Sequence, residues 1–330
     1  MRLDQHLFLA LLLAATFAPN SCDRRSRDLT FHDLTRGEQK ARVIAAFQPW
    51  FGDADHIQVG YRSNDPGVIH KQIEEAKALG IYAFAIDWYG VRHPFLDRSY
   101  ALIQQIASKE HFHVALMYDE TEEDDGHATE DALDAFSGAY SKYIGPQAPG
   151  RDAYLLYQNR PVIFVFPKRG KTDWNQVRQM VNGWEFPPLL IYKDEPPPQF
   201  ASAFDGQYAW VHPGPKGWAA DGSEWGEGYL QNFYRRMRSK GPNQVVVGGV
   251  WPGFDDSKAS WGLNRHIDQR CGKTLQDTLR IFAENNDADR PMPFVLIATW
   301  NDYEEGTAIE NGLARCTPTK GEESSIHAQK

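Results

Sequence analysis

Eight short apolar runs, each too continuous for a half-exposed strand, constrain this chain more than any other feature. They lie at 43–47, 82–86, 113–117, 161–166, 189–192, 206–211, 245–250 and 294–299. A strand with one wet face alternates apolar and polar side chains. A run such as "VIAAF" offers water no polar face, so both of its faces must be covered. Segments of helical periodicity stand between most of the runs. The clearest is "DPGVIHKQIEEAKALG" at 65–80, where Asp65 suits an N-cap, Pro66 the first helical position and Gly80 the stop. Ile69, Ile73, Ala76 and Leu79 supply its apolar stripe. Further helices are expected at 98–109, 129–143, 173–183, 225–239 and 274–285. Doubly covered strands alternating with helices predict an α/β fold of the (β/α)8 TIM-barrel type, ahead of an open doubly wound sheet. The crossover 194–205 holds "EPPP" and has room for barely one helical turn. Few residues follow the eighth run, so the last helix is expected to be short or missing. No glycine-rich phosphate loop follows the first run, where "PWFGDADH" stands instead.

The expected organisation is a signal peptide at 1–21, a linker at 22–42, the barrel at 43–315 and a disordered tail at 316–330. The apolar run 7–18, behind Arg2, is too short to span a bilayer and reads as an export signal, which predicts a secreted or periplasmic protein. "FAPNSC" lacks the Leu expected three residues before a lipidated cysteine, so an anchor at Cys22 is the less favoured alternative. No segment of the mature chain is expected to span a membrane. After cleavage Cys271 could pair with Cys316. A net charge of -9 without any Lys/Arg block argues against nucleic acid as a partner.

Barrel enzymes carry their chemistry at the C-terminal strand ends. Here those ends place Trp50 after the first run, Asp87, Trp88 and Tyr89 after the second, and Tyr118 and Asp119 after the third. Trp251, Phe254 and Asp255 follow the seventh, and Trp300, Asn301, Asp302 and Tyr303 the eighth, with Glu310 a little further on. The segment "ATWNDYEEGTAIEN" at 298–311 puts Asp302, Glu304, Glu305 and Glu310 within nine positions. Like charges this close raise one another's pKa values, a cost met mostly where protons are moved. Acids flanked by aromatics suit glycoside hydrolysis, in which two carboxyl groups share the proton work while aromatic faces stack on sugar C–H groups. Asp302 and Glu305, three apart, both face the cavity if the chain turns tightly after Trp300. Glu304 then points away as a solvated residue, and Glu310 either orients a neighbour or is exposed. An oligo- or polysaccharide is therefore the expected partner. No cofactor is expected and no metal: His111 and His113 lie at the wrong strand end, "EEDD" at 122–125 reads as a solvated loop, and no HExxH, paired CxxC or GxSxG appears.

The segment from Trp300 to Glu310 resembles the "WNEWHEGTQIE" signature of glycoside hydrolase family 99, the endo-α-mannosidases and endo-α-mannanases. In Trp300-Asn301-Asp302-Tyr303 and Glu305 it also resembles the "WNDYGES" segment of family 71, the α-1,3-glucanases. "AFQPWFG" (46–52), "FAIDWYG" (84–90) and "WPGFDDS" (251–257) are similar to family 99 segments, as are Arg270 and Gly272 to its Arg-x-Gly. The resemblance implies a barrel that cleaves α-mannosides with retention through a 1,2-anhydro sugar. Asp302 would be the base on the substrate O2 and Glu305 the acid on the leaving oxygen. Family 99 has Glu where this chain has Asp302, whereas family 71 has Asp, one methylene or about 1.5 Å shorter. More of the chain matches family 99, so α-mannoside hydrolysis is the first expectation. Hydrolysis of α-1,3-glucan is the second, and glycan binding without cleavage the third.

Overall fold

The computed structural model describes residues 28–36, 40–120, 126–168, 171–241 and 243–312. Its centre is a barrel of parallel strands: β1 Arg42–Phe47, β2 Ile81–Trp88, β3 His113–Asp119, β4 Arg160–Phe166, β5 Leu189–Lys193, β6 Gly206–Tyr208, β7 Val245–Val250 and β8 Phe294–Ile297. Each pairs with the next, Leu116 opposite Ile163 between β3 and β4, and β8 returns to β1 with Ile297 opposite Ala45. The sheet therefore closes, which leaves it no edge. As the continuous apolar runs require, the strand residues are almost all buried.

The helical layer is α1 Pro66–Ala78, α2 Pro94–Lys109, α3 Ala128–Ala139, α4 Trp174–Val181, α5 Glu227–Ser239 and α6 Lys273–Asn285. Helix α1 starts as its sequence implies: Asp65 Oδ1 accepts the N–H groups of Gly67 (2.7 Å) and Val68 (3.2 Å) behind Pro66. It ends at Gly80, whose φ of +86° is open to glycine at little cost. Ile69, Ile73 and Ala76 are buried, but Leu79, expected in the same stripe, is the C-cap residue and is exposed. The fifth crossover is a 3-10 turn, Pro198–Ala203, because successive prolines remove the N–H donors that an α-helix needs. After β8 the described residues hold turns and no helix. Runs six and eight leave the ladder early, so 209–211 and 298–299 extend past the sheet towards its mouth.

Part of the segment expected to be a linker is folded: Phe31–Leu34 form a helical turn with Phe31 and Leu34 buried against the core. The signal peptide, the 316–330 tail and the 122–125 acidic run lie outside the described residues. Cys271 is disulfide-bonded, and Cys316, its expected partner, also lies outside them. No helix among the described residues is long and apolar enough to cross a membrane.

The seam between β8 and β1 is completed by a side chain. Asn301 Oδ1 accepts the Gln48 N–H at 2.7 Å and its Nδ2 donates to the Gln48 carbonyl at 3.0 Å, an amide standing in for a strand residue. Both residues are buried, so losing this amide would leave two backbone groups unpaired away from water. Asn301→Ala is expected to lower the unfolding free energy by about 2–4 kcal/mol, measured by urea denaturation. A loss below about 0.5 kcal/mol would show that the amide does not hold the seam.

Candidate active site

The segment after β8 is a tight turn built on Asp302. Its Oδ1 accepts the backbone N–H groups of Glu304 (3.0 Å) and Glu305 (2.8 Å), and its own N–H donates to Thr299 Oγ1 (2.8 Å). Its carbonyl accepts from Thr307 and Ala308 at 3.1 and 3.2 Å. Gly306 follows with φ +63°, where a Cβ would stand 3.1 Å from Asp255, so the return passes close against the loop after β7. That loop is tied to the turn by the Asp255 N–H, which donates to the Glu305 carbonyl at 2.7 Å. Asp302 and Glu305 thus share one turn, as their spacing implies.

Four strand ends bring further charge to them. Asp87 from β2 lies beside Asp302 and beside Asp119 from β3, and Lys168, just past β4, pairs with Asp119 Oδ2 at 3.1 Å. Lys168 is brought there by a loop whose backbone is held by the buried Glu120: its carboxylate accepts the N–H groups of Lys168 (3.0 Å) and Thr172 (3.1 Å). Lys193, at the end of β5, rests its Nζ 3.4 Å from the Phe166 ring centroid.

Burial, then the charge of Asp119 and of Asp302, pushes the Asp87 carboxyl well above the usual carboxylate range, against the pull of Lys168. Asp302 is raised in the same way by burial and by its neighbours Glu305 and Glu304, although the two backbone donors oppose this. Glu305 is also raised by burial, opposed by the Trp261 indole and the cations Arg265 and Lys168. Burial lowers Lys193 to about 8, against the acids around it. Burial and the four acids Asp87, Asp119, Asp302 and Glu305 hold the Tyr89 hydroxyl un-ionised.

Asp87, Tyr89, Asp119, Asp302 and Glu305 therefore come together as expected, but the aromatic residues divide. The Trp88 indole donates to Asp97 of α2 (3.3 Å), and Tyr118 packs on Phe136 and Trp174 of the helical layer. Trp251 donates to the Trp225 carbonyl (2.9 Å), and Trp300 packs on Phe84. All four rings are buried and hold strands to their surroundings, so the expectation that they offer open faces to a sugar does not hold. Trp50 is buried beneath His56, its ring stacked at 4.5 Å, and Phe254 lies under Trp218 and Arg265. Tyr303 and Tyr61 both donate to Glu310 (2.7 and 3.0 Å), as does Gln72 (2.7 Å), so Glu310 orients its neighbours. Glu304 is corrected outright. It is 2% exposed, with Oε2 2.8 Å from His56 Nδ1 and Oε1 accepting the Ile57 N–H.

Lys168, His56 and Trp261 were not singled out by sequence reasoning. Lys168 was legible in principle, since "PKRG" directly follows the fourth run at the C-terminal end of the barrel. The other two sit on irregular loops without a pattern. His111 and His113 lie at the opposite end, beside a cavity of about 660 Å³ lined by Arg42, Tyr82 and Tyr157. His113 is packed on Tyr82 there.

A closed parallel barrel with buried acids at the C-terminal ends of β2, β3 and β8 is the arrangement of a glycosidase. Residues 57–328 match glycosyl hydrolase family 71. The chain belongs to that family and is a glycoside hydrolase. Among solved structures it is similar in fold to the GH99 endo-alpha-mannosidase of Bacteroides thetaiotaomicron, at 18% identity and a TM-score of 0.62 over 84% of this chain and 90% of that one. A second structure of that enzyme gives 17% and 0.63 over 84% and 89%. A structure described as a glycoside hydrolase-like protein gives 14% and 0.55 over 86% and 92%. No curated protein matches the chain in sequence.

The raised Asp87 carboxyl has a consequence for stability. In the fold it keeps its proton at pH values where the unfolded chain has lost it. Its favourable contribution is complete below about pH 4 and is lost as pH rises through the elevated folded value. Asp87→Asn is therefore expected to raise Tm at pH 7, by on the order of 2 °C per kcal/mol regained, with the gain shrinking towards pH 4. Thermal melts at the two pH values check this, and a Tm lowered at pH 7 would contradict it.

Proposed function

We propose that the protein is an exported hydrolase of α-linked glycans that uses Asp302 and Glu305 as its acid–base pair. The observation that carries the reading is the turn itself. Asp302 Oδ1 is held by two backbone N–H groups, while Oδ2 receives no hydrogen bond from the described residues. One carboxylate is thereby fixed in orientation with an oxygen left for proton transfer, three residues from a second raised carboxyl. A raised pKa suits Glu305 to hold the proton that it gives to the leaving oxygen, and it makes Asp302 a stronger base once ionised. Asp87, with its Oδ1 buried and unpartnered among the described residues, is suited to take a hydrogen bond from a sugar hydroxyl.

Two substrates compete. Segment resemblances to family 99 and the mannosidase fold neighbours support an α-mannoside. Membership of family 71, with Asp at position 302, supports an α-1,3-glucan, and we give that match the greater weight because it is made in sequence and spans most of the chain. Assays on α-1,3-glucan and α-mannan, with the first-formed anomer followed by NMR, decide between them. Release of products from mannan alone would overturn the preference. If Asp302 acts on the substrate O2, a 2-deoxy analogue will bind without turning over. If it activates water, the analogue will react and the first product will be inverted.

Asp302→Asn and Glu305→Gln are each expected to lower kcat by about 10²–10⁴-fold with Tm changed by no more than a few degrees. An aryl glycoside with a good leaving group should restore turnover in Glu305→Gln and not in Asp302→Asn. The reverse pattern exchanges the two roles, and full activity in either variant removes the assignment.

Export is supported by the apolar run 7–18 and by the Cys271 disulfide, which suits an oxidising compartment. N-terminal sequencing of the mature protein should begin between about residues 19 and 24. Purely cytosolic protein with Met1 intact would exclude export.

A further inference from the structure

The loop after β7 carries Trp261, a large side chain left 39% exposed at the rim. Its indole Nε1 donates to Glu305 Oε1 at 3.3 Å. The ring stands edge-on to Trp50 (6.1 Å, 77°) and to His56 (5.9 Å, 75°). Those two rings are stacked in parallel at 4.5 Å, and His56 is in turn fixed by the buried Glu304. The same acidic segment therefore holds the wall against which Trp261 leans and presents the carboxyl to which Trp261 donates.

The loop is built to hold this position. Asp256, fully buried, accepts the N–H groups of Leu263 (3.1 Å) and Arg265 (2.7 Å) and the Arg265 Nε (2.6 Å). Between them Gly262 passes so close that a Cβ there would stand 1.9 Å from the Asp256 carbonyl oxygen. An indole needs none of this to be soluble. A tryptophan held rigidly at a wet rim, with its N–H on a reacting carboxyl and its ring still open to solvent, suits a ligand that covers it.

Resting on the reading of Glu305 given above, we propose that Trp261 is a positioning residue for Glu305 and that its open ring stacks on the sugar held beside the scissile bond. One side chain then couples the presence of substrate to the orientation of the acid. Covering the ring removes water from the indole–carboxylate hydrogen bond and strengthens it. The carboxyl is faced by Tyr89, Lys168, Lys193, Asp256, Arg265 and Asp302 from the surrounding loops. Removing the indole donor leaves those groups in place and raises Glu305 further.

Two substitutions separate the functions. Trp261→Phe keeps a ring and loses the donor; Trp261→Ala loses both. For Trp261→Phe, kcat should fall about 10-fold, the equivalent of one modest hydrogen bond. KM should stay within about twofold, and the limb of the pH profile set by Glu305 should move to higher pH. For Trp261→Ala, KM should also rise about 10-fold, as expected for a lost stacking contact. Melting curves confirm that both variants are folded. Trp261→Phe with unchanged kcat and pH profile would overturn the positioning role. Trp261→Ala with unchanged KM would overturn the stacking role. Glu305→Gln distinguishes the two levels: full activity there removes the underlying assignment, whereas an inactive Glu305→Gln beside an unaltered Trp261→Phe removes this inference alone.

Discussion

Asp302 is buried at the mouth of the barrel among other acids, and most of the surrounding architecture answers that single constraint. A carboxylate removed from water beside two further glutamates is costly unless donors and cations are placed to meet it. The turn supplies two backbone N–H groups to its Oδ1, and Lys168 and Arg265 act on its neighbours. The compensation is partial, and the Asp87 and Asp302 carboxyls remain well above their ordinary range. Both groups therefore hold their protons to higher pH than a free carboxylate does.

The proposed acid–base pair and several structural bonds share the segment after β8. Asn301 closes the barrel on Gln48, Asp302 caps the next turn, Glu304 clamps His56, and Glu310 gathers Tyr61, Tyr303 and Gln72. The Thr299 and Thr307 hydroxyls meet at 2.9 Å beneath them. No helix follows β8 in the described residues, and this hydrogen-bonded coil takes its place in the chain. Changes in it therefore act on the stability of the turn that carries the proposed pair.

The barrel was legible because double-sided burial leaves a pattern that one sequence shows: continuous apolar runs separated by amphipathic helices. The carboxylate positions were legible for a related reason, since strand ends in a closed barrel converge whatever the loops do. Which way an aromatic ring faces was not legible. Trp88 and Tyr118 each adjoin an acid that enters the site, but alternation along a strand sends neighbouring side chains to opposite faces, and these rings went under the helices. Glu304 misled in the opposite direction. A carboxylate between two others reads as solvated, and its burial depends on His56, which is 248 residues away in sequence. Lys168 and Trp261 depend likewise on loops whose shape comes from tertiary bonds to Glu120 and Asp256.

The local geometry also bears on the difference between Asp302 and the glutamate of family 99. An aspartate can accept hydrogen bonds from the N–H groups two and three residues ahead because its carboxylate lies one carbon from Cβ. Here it does so at 3.0 and 2.8 Å. A glutamate at this position would carry its carboxylate about 1.5 Å further, beyond the geometry of that cap. The turn would then need another donor set to hold Glu305 in place. The shorter acid is thus integral to how this chain folds its last loop. The fold shared with the mannosidase structures says nothing against this, because a common barrel at 18% identity constrains the scaffold and leaves the loops free.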